Sequence, residues 1–180
     1  MAAALTVSPA ARAGTQDTPQ ARLERLYASC RDDVYAYAAT LLGDPSLAED
    51  VTALAFERAF RRRRLFDRRR GSERAWLFGI ARNAALDELR RSRRSTALAA
   101  EPADEEQWRE HEGEAVLRRA AVRRALSGLG ARERELVALK FHAGLSNAEL
   151  ARVLGVSESN AGTMLHRTIT KLRKACDEQA

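Results

Sequence analysis

The sequence predicts an all-α protein built as two small helical domains joined by a flexible linker, the second domain containing a helix-turn-helix. Three observations predict it. Apolar residues recur at three- and four-residue steps through most of the chain, and no short segment alternates as a half-buried strand would. Between residues 95 and 113 that period disappears in small residues, Pro102 and an acidic run, the composition of a tether. Residues 145–172 divide into a short helical pattern, a brief interruption and a longer helical pattern. The resulting division is a disordered tail over 1–18, a first domain over 19–94, the linker over 95–113 and a second domain over 114–176.

The tail is rich in Ala, Ser, Thr, Pro and Gly and shows no period. From Pro19 onward Leu23, Leu26, Tyr27, Cys30, Val34, Tyr37, Ala38 and Leu41 mark one face of a long helix, which Gly43, Asp44 and Pro45 end. Ser46 is placed to cap the next helix, with Glu49 completing a capping box. That helix runs through Val51, Leu54, Ala55, Arg58 and Ala59 and loses its pattern in the arginines from Arg61. After a loop at 68–71, Ser72 caps a third helix carrying Trp76, Leu77, Ile80, Ala81, Ala84, Leu86 and Leu89 over much of its circumference. Trp76 stands among Leu77, Ile80 and Ala81, which favours a core role over base stacking. The end of this helix is polar and basic.

In the second domain Val116, Leu117, Ala120, Ala121, Ala125 and Leu126 predict one helix, stopped near Gly128 and Gly130. Leu136, Val137, Leu139, Lys140 and Phe141 predict another, ending near Gly144. The helix-turn-helix follows. Ser146 caps its first helix, with Glu149 three residues later; Leu150, Ala151 and Leu154 face inward and Gly155 breaks the run. Ser157 caps the second, on which Ala161, Leu165, Ile169 and Leu172 share one face. The opposite face carries Ser159, Asn160, Gly162, Thr163, His166, Arg167, Thr170 and Lys171, residues suited to DNA.

Charge points the same way. The chain of 180 residues holds 31 Lys and Arg against 25 Asp and Glu, a formal charge of +6. The positive charge is concentrated at residues 61–64, 68–70 and 90–94, and residues 101–114 are largely acidic. No glycine-rich phosphate loop, zinc-protease motif or nucleophile elbow appears, so neither an enzyme nor a cofactor is expected. The three histidines and two distant cysteines have no metal-ligand spacing. No signal peptide, membrane insertion or disulfide is expected, and a reduced cytoplasmic setting fits.

The run Ala48-Glu49-Asp50-Val51-Thr52, followed by Phe56, Arg58, Ala59 and Phe60, resembles the core-polymerase-binding segment of bacterial sigma factors. Residues 76–83, then Leu86, Asp87, Arg90 and Arg91, resemble the −10 reading segment of the extracytoplasmic-function group (group IV) of the sigma-70 family. Leu129, residues 132–135, Phe141 and residues 144–146 resemble its −35 domain, and Glu149-Leu150-Ala151, residues 154–157 and Leu165-His166-Arg167 continue the likeness. The resemblance implies a protein that binds core RNA polymerase, recognises promoter DNA at −10 and −35, helps open the duplex and is often held by an anti-sigma factor. It implies polymerase contacts at Glu49, Asp50, Phe56 and Arg58, and −10 contacts at Arg82, Asn83, Asp87, Arg90, Arg91, Arg93 and Arg94. The −35 contacts fall to Ser159, Asn160, Thr163, His166, Arg167 and Lys171. The linker would thread toward the RNA exit channel.

Two departures stand out. Ala53 and Leu54 occupy positions where the family often has a glutamine and an acidic residue, and Gly162 and Met164 occupy positions often basic. Two other readings of the same residues are a stand-alone helix-turn-helix regulator and a helical adaptor that does not read DNA. The first domain, which resembles a polymerase-binding module and not a ligand sensor, weighs against the first.

Overall fold

The computed structural model describes residues 18–98 and 124–177. The first helix, α1, spans Pro19–Leu42; the Thr18 hydroxyl accepts from the Ala21 amide at 3.2 Å, and Gly43 closes the helix in the left-handed region at φ +72°. Helix α2 spans Pro45–Arg62. Its cap is Asp44, whose carboxylate accepts from the Leu47 amide at 3.0 Å, and not Ser46 as the sequence suggests. Proline explains the difference: lacking an N–H, Pro45 suits the first helical position, so the cap is the residue before it. Two short 3₁₀ turns, Arg63–Leu65 and Arg68–Arg70, lead into α3, Glu73–Leu98, which the Ser72 hydroxyl caps by accepting from the Ala75 amide at 3.1 Å. This helix continues past Arg94, into the residues that composition assigns to the linker.

The tail, most of the linker and most of the helix expected over 116–126 lie outside the described residues; of that helix, 124–127 are helical. Helix α4 spans Ala131–Phe141, α5 Asn147–Leu154 and α6 Glu158–Asp177. Among the described residues no helix is long and apolar enough to cross a membrane.

Helices α1, α2 and α3 form a three-helix bundle around Val34, Tyr37, Leu77 and Phe78, all fully buried, with the Tyr37 and Phe78 rings edge to face at 5.7 Å between centroids. Leu136, Leu139, Leu145 and Leu150 fill the second domain equally completely. Each buried leucine contributes about 1.5–3 kcal/mol relative to an exposed one. The two sets are not separate: the buried residues form one continuous cluster from Leu26 to Leu165, because α4 packs on α1 and α5 packs on α3. The linker composition suggests two domains with independently adjustable spacing; in this structure they are drawn together.

Candidate nucleic-acid interface

The helix-turn-helix is assembled by caps that the sequence spells out. Ser146 and Glu149 form a reciprocal box, the Glu149 amide donating to the Ser146 hydroxyl at 3.3 Å and the Ser146 amide to the Glu149 carboxylate at 3.0 Å. Gly155 turns the chain at φ +70°, a conformation that disfavours a β-carbon. The Asn160 amide then donates to Ser157 Oγ at 3.2 Å. On α6 the buried positions are Ala161, Leu165 and Thr168, with Ile169 and Leu172 half-buried; the Thr168 hydroxyl returns its hydrogen bond to Met164 O at 2.8 Å, which lets it lie inside.

With that face inward, Ser159, Asn160, Thr163, His166, Arg167, Thr170 and Lys171 are exposed together. Gly162 is half-buried beside α5, where a β-carbon would come no closer than 3.7 Å to Asn147 Nδ2. Lys171 is partly engaged: its Nζ donates to Glu133 of α4 at 2.8 Å. That contact, together with the amide of Gly130, holds the Glu133 carboxyl below its usual range.

The basic end of α3 divides into two parts. Arg90, Arg91, Arg93 and Arg94 are exposed, and Asp87 sits between Arg90 at 3.2 Å and Arg58 of α2 at 3.5 Å. Arg91 pairs with Glu88 at 3.2 Å. The Arg90–Asp87 pair is exposed on both sides, and pairs of that kind contribute between nothing and about 1 kcal/mol and exchange readily for a phosphate. Arg82 is different. It lies half-buried under α4, with Nε 2.7 Å from one carboxylate oxygen of Glu135 and Nη2 donating to the other at 3.5 Å. The Nε–H is not aimed along the shorter line, so the close contact is an ion pair by proximity and the aligned hydrogen bond is the long one. Asn83, one residue on, is exposed at the edge of a cavity of about 400 Å³.

That cavity is lined by Leu65, Phe66, Trp76 and Asn83 from the first domain and by Glu149, Arg152 and Val153 of α5. Trp76 is half-buried in its wall, its ring 5.5 Å from that of Phe66. On α2, Glu49 and Asp50 are exposed, Arg58 is half-buried, and Phe56 lies in the core with its ring 4.8 Å from Tyr27. Phe56 therefore supports the face from inside and cannot present its ring to a partner.

The junction between the domains is built from contacts that sequence reasoning does not anticipate. Arg74, at the start of α3, reaches Asp33 of α1 and donates to the carbonyl oxygens of His142, at 2.8 Å, and Ala143. His142 Nε2 lies 3.1 Å from Thr40 Oγ1; burial holds its imidazole below the usual range, with Asp33 opposing. Ser72 donates to the Glu149 carboxylate, and Arg152 donates to Arg70 O at 2.6 Å. Gly71 makes room, since a β-carbon there would lie 2.6 Å from the Arg152 guanidinium. Glu135 and Tyr37 are buried beside Arg82, and burial pushes the Tyr37 phenol up, with Glu135 adding to the effect and Arg82 opposing it. One signal in the sequence points here. Residues 136–139 are apolar without a break, which one buried stripe does not require, and in the structure α4 is buried from Glu135 to Leu139 in succession.

Arginines of fixed charge and exposed polar side chains on a recognition helix suit contacts to nucleic acid. Comparison with known proteins agrees. The family model for sigma-70 region 2 matches residues 26–95, and that for sigma-70 region 4 matches residues 119–172. The ECF RNA polymerase sigma factor SigL of Mycobacterium tuberculosis is 30% identical over 167 residues, covering 92% of this chain and 94% of that protein. The ECF RNA polymerase sigma factor BldN of Streptomyces coelicolor is 34% identical over 160 residues, covering 87% of this chain; the match spans 61% of BldN. Among solved structures, the sigma factor RpoE in complex with the anti-sigma factor NepR from Bartonella quintana shares the fold, with a TM-score of 0.76 at 20% identity over 87% of this chain and 97% of that one. The chain belongs to the extracytoplasmic-function group of the sigma-70 family, the sigma factors that bind core RNA polymerase and recognise promoter elements.

Proposed function

We propose the following division of labour for promoter recognition. The exposed face of α2, with Glu49 and Asp50, docks on core polymerase, and Phe56 holds that face in shape from beneath. Arg90, Arg91, Arg93 and Arg94 take the phosphates of the −10 element, Asp87 orients Arg90, and Arg82 and Asn83 meet the unpaired bases or their backbone. On α6, Ser159, Asn160, Thr163 and His166 test the −35 base edges, while Arg167 and Lys171 take phosphate or guanine. Strand opening needs no covalent chemistry, only a surface that binds separated strands better than paired ones.

The observation that carries this reading is the separation of two exposed cationic surfaces, one on each domain of a single chain, with an independent acidic patch on α2. A lone helix-turn-helix regulator needs only one of the three. The anti-sigma partner in the RpoE complex makes a comparable antagonist a reasonable partner here. The test is transcription from a cognate promoter by core polymerase supplemented with this protein. Asp50→Arg should weaken competition for core enzyme at least about tenfold, the cost of roughly 1.4 kcal/mol, with helicity by circular dichroism unchanged. Equal competition by both forms would remove α2 as the docking face.

A further inference from the structure

A cleft of about 470 Å³ lies between α3 and α4, and its charge does not balance. On α3, Arg82, Leu86, Leu89, Arg90 and Arg93 follow one another at helical spacing, so a single face of that helix forms one wall. Arg132 and Arg134, on the first turns of α4, stand on the other. Leu41, Leu154 and the two leucines of α3 supply an apolar floor. Five guanidinium groups therefore meet one carboxylate, that of Glu135, which Arg82 already holds at 2.7 Å.

The other four cations are poorly answered. Arg90 has its exposed pair with Asp87 at 3.2 Å. Arg134 donates from Nη2 to Leu129 O at 3.3 Å and Ser127 O at 3.5 Å, and its Nε is buried without an acceptor among the described residues. Arg93 and Arg132 are exposed and have no ion-pair partner among the described residues. A guanidinium cannot shed its charge at neutral pH. Like charges gathered over an apolar floor repel one another until an anion joins them. Leu86, Leu89 and Leu154 are only half-buried, so the same cleft also leaves apolar area in water.

We propose that this cleft is a binding site for a nucleoside polyphosphate, its phosphates on Arg90, Arg93, Arg132 and Arg134 and its nucleobase on the leucine floor. Each half of the ligand answers one half of the site. Four unanswered guanidiniums call for an anion of comparable charge, and each can grip phosphate oxygens through two N–H donors. A fatty acid would cover the leucines but bring a single negative charge. Inorganic polyphosphate would answer the arginines and leave the leucines wet. A nucleic-acid strand offers one phosphate per nucleotide, whereas a polyphosphate concentrates several on one base, as convergent arginines require. A flat base covers aliphatic surface and also stacks on guanidinium planes. The volume falls within the range of about 300–1,000 Å³ usual for small-molecule sites.

Isothermal titration calorimetry of the full chain against GTP in magnesium-free buffer tests the site. Inorganic tripolyphosphate, decyl phosphate and a single-stranded decanucleotide are the competing probes. GTP should bind one to one, and at least about tenfold more tightly than tripolyphosphate or decyl phosphate, since each of those lacks one half of the contact. Arg93→Glu with Arg132→Glu reverses an exposed cation on each wall and should weaken GTP binding at least about thirtyfold, with circular dichroism unchanged. Arg62→Glu with Arg64→Glu makes the same change of net charge on exposed residues outside the cleft and should alter GTP affinity less than about threefold, because solvent and salt screen it. Saturating GTP should raise the melting temperature of the unaltered protein and leave that of the Arg93→Glu, Arg132→Glu form where it was.

Equal losses in the two double variants would reduce the effect to diffuse attraction and overturn the site. Tripolyphosphate binding as tightly as GTP would overturn the place given to the nucleobase. Decyl phosphate binding more tightly than GTP would give the cleft to an aliphatic amphiphile instead. Absence of GTP binding at millimolar concentration rejects the proposal outright. If the decanucleotide then binds and loses affinity with Arg93→Glu and Arg132→Glu, the cleft belongs to a nucleic-acid strand.

Discussion

The two surfaces proposed to face DNA are made from similar parts and sit in opposite circumstances. On α6 the recognition face is exposed, and Lys171 is the member of it drawn toward an acidic side chain, Glu133. On α3 the basic residues of the proposed DNA face begin half-buried at Arg82, paired with Glu135, and become exposed only from Arg90 onward. A phosphate arriving at α6 displaces counterions. A phosphate arriving at Arg82 must displace a carboxylate that belongs to the protein. The comparison teaches that a charge count measures attraction only where the charges are not already answered from within the fold.

The largest test breaks the comparison at its base, the shared core. Leu136 is fully buried in α4 and belongs to the cluster that spans both domains. Leu136→Ala should cost about 2–5 kcal/mol, the usual range for a buried leucine with its cavity. If the domains share one core, hydrogen exchange in α1 should accelerate together with that in α4. Acceleration confined to α4–α6 would mean that each domain folds on its own and the junction adds little.

What can be read in the sequence follows the same division. Caps, turns and the exposed face of α6 are legible because they are local: Ser146 with Glu149, Gly155, and Ala161 with Leu165 lie within a few residues of one another. The cap of α2 falls two residues from its expected place because Ser46 and Asp44 are both good caps and Pro45 decides between them. Thr168 does not read as a buried residue, because only the bond back to its own helix makes a hydroxyl apolar in effect. Arg82 and Glu135 are not legible as a pair at all. They lie far apart in the chain, and nothing within a turn of either names the other. Phe56 is expected from the resemblance as a polymerase contact, and only the tertiary packing, with its ring buried against Tyr27, places it in the core.

The middle-sized effect probes the exposed part of α3. Replacing Arg90 and Arg91 by alanine removes two exposed cations and leaves the Arg82–Glu135 pair itself in place, although Arg90 lines the cleft that holds that pair. For single-stranded DNA each neutralised phosphate contributes about 0.7 to the slope of log affinity against log salt, so the slope should fall by about 1.4. Open-complex formation should weaken while binding to core polymerase survives. The change in slope is the sharper reading, because it counts phosphates directly. An unaltered slope would make these arginines a solvated helix end, and the contrast between α3 and α6 would then reduce to one surface that binds and one that does not.

The smallest expected effect sharpens the comparison from the other side, by adding a charge to the surface that is already open. Gly162 lies in the interior of α6 with no positive φ, half-buried between the exposed Thr163 and the fully buried Ala161. A β-carbon there meets Asn147 Nδ2 at 3.7 Å, an ordinary contact, so the site accepts a β-carbon without displacing its neighbour. Gly162→Lys removes the helix penalty of glycine, about 0.5–1 kcal/mol relative to alanine. It also supplies one phosphate-seeking cation, steepening the salt slope on duplex DNA by about 0.9. An ammonium that reaches solvent there need not first leave an internal carboxylate as Arg82 must. The gain should therefore appear in full, equally on a matched and a scrambled −35 duplex, in a salt titration of the full chain. A gain on the matched duplex alone would make residue 162 a reader of sequence. A loss on both would mean that DNA approaches the α6 backbone so closely that only glycine fits, and that the open surface is as tightly specified as the closed one.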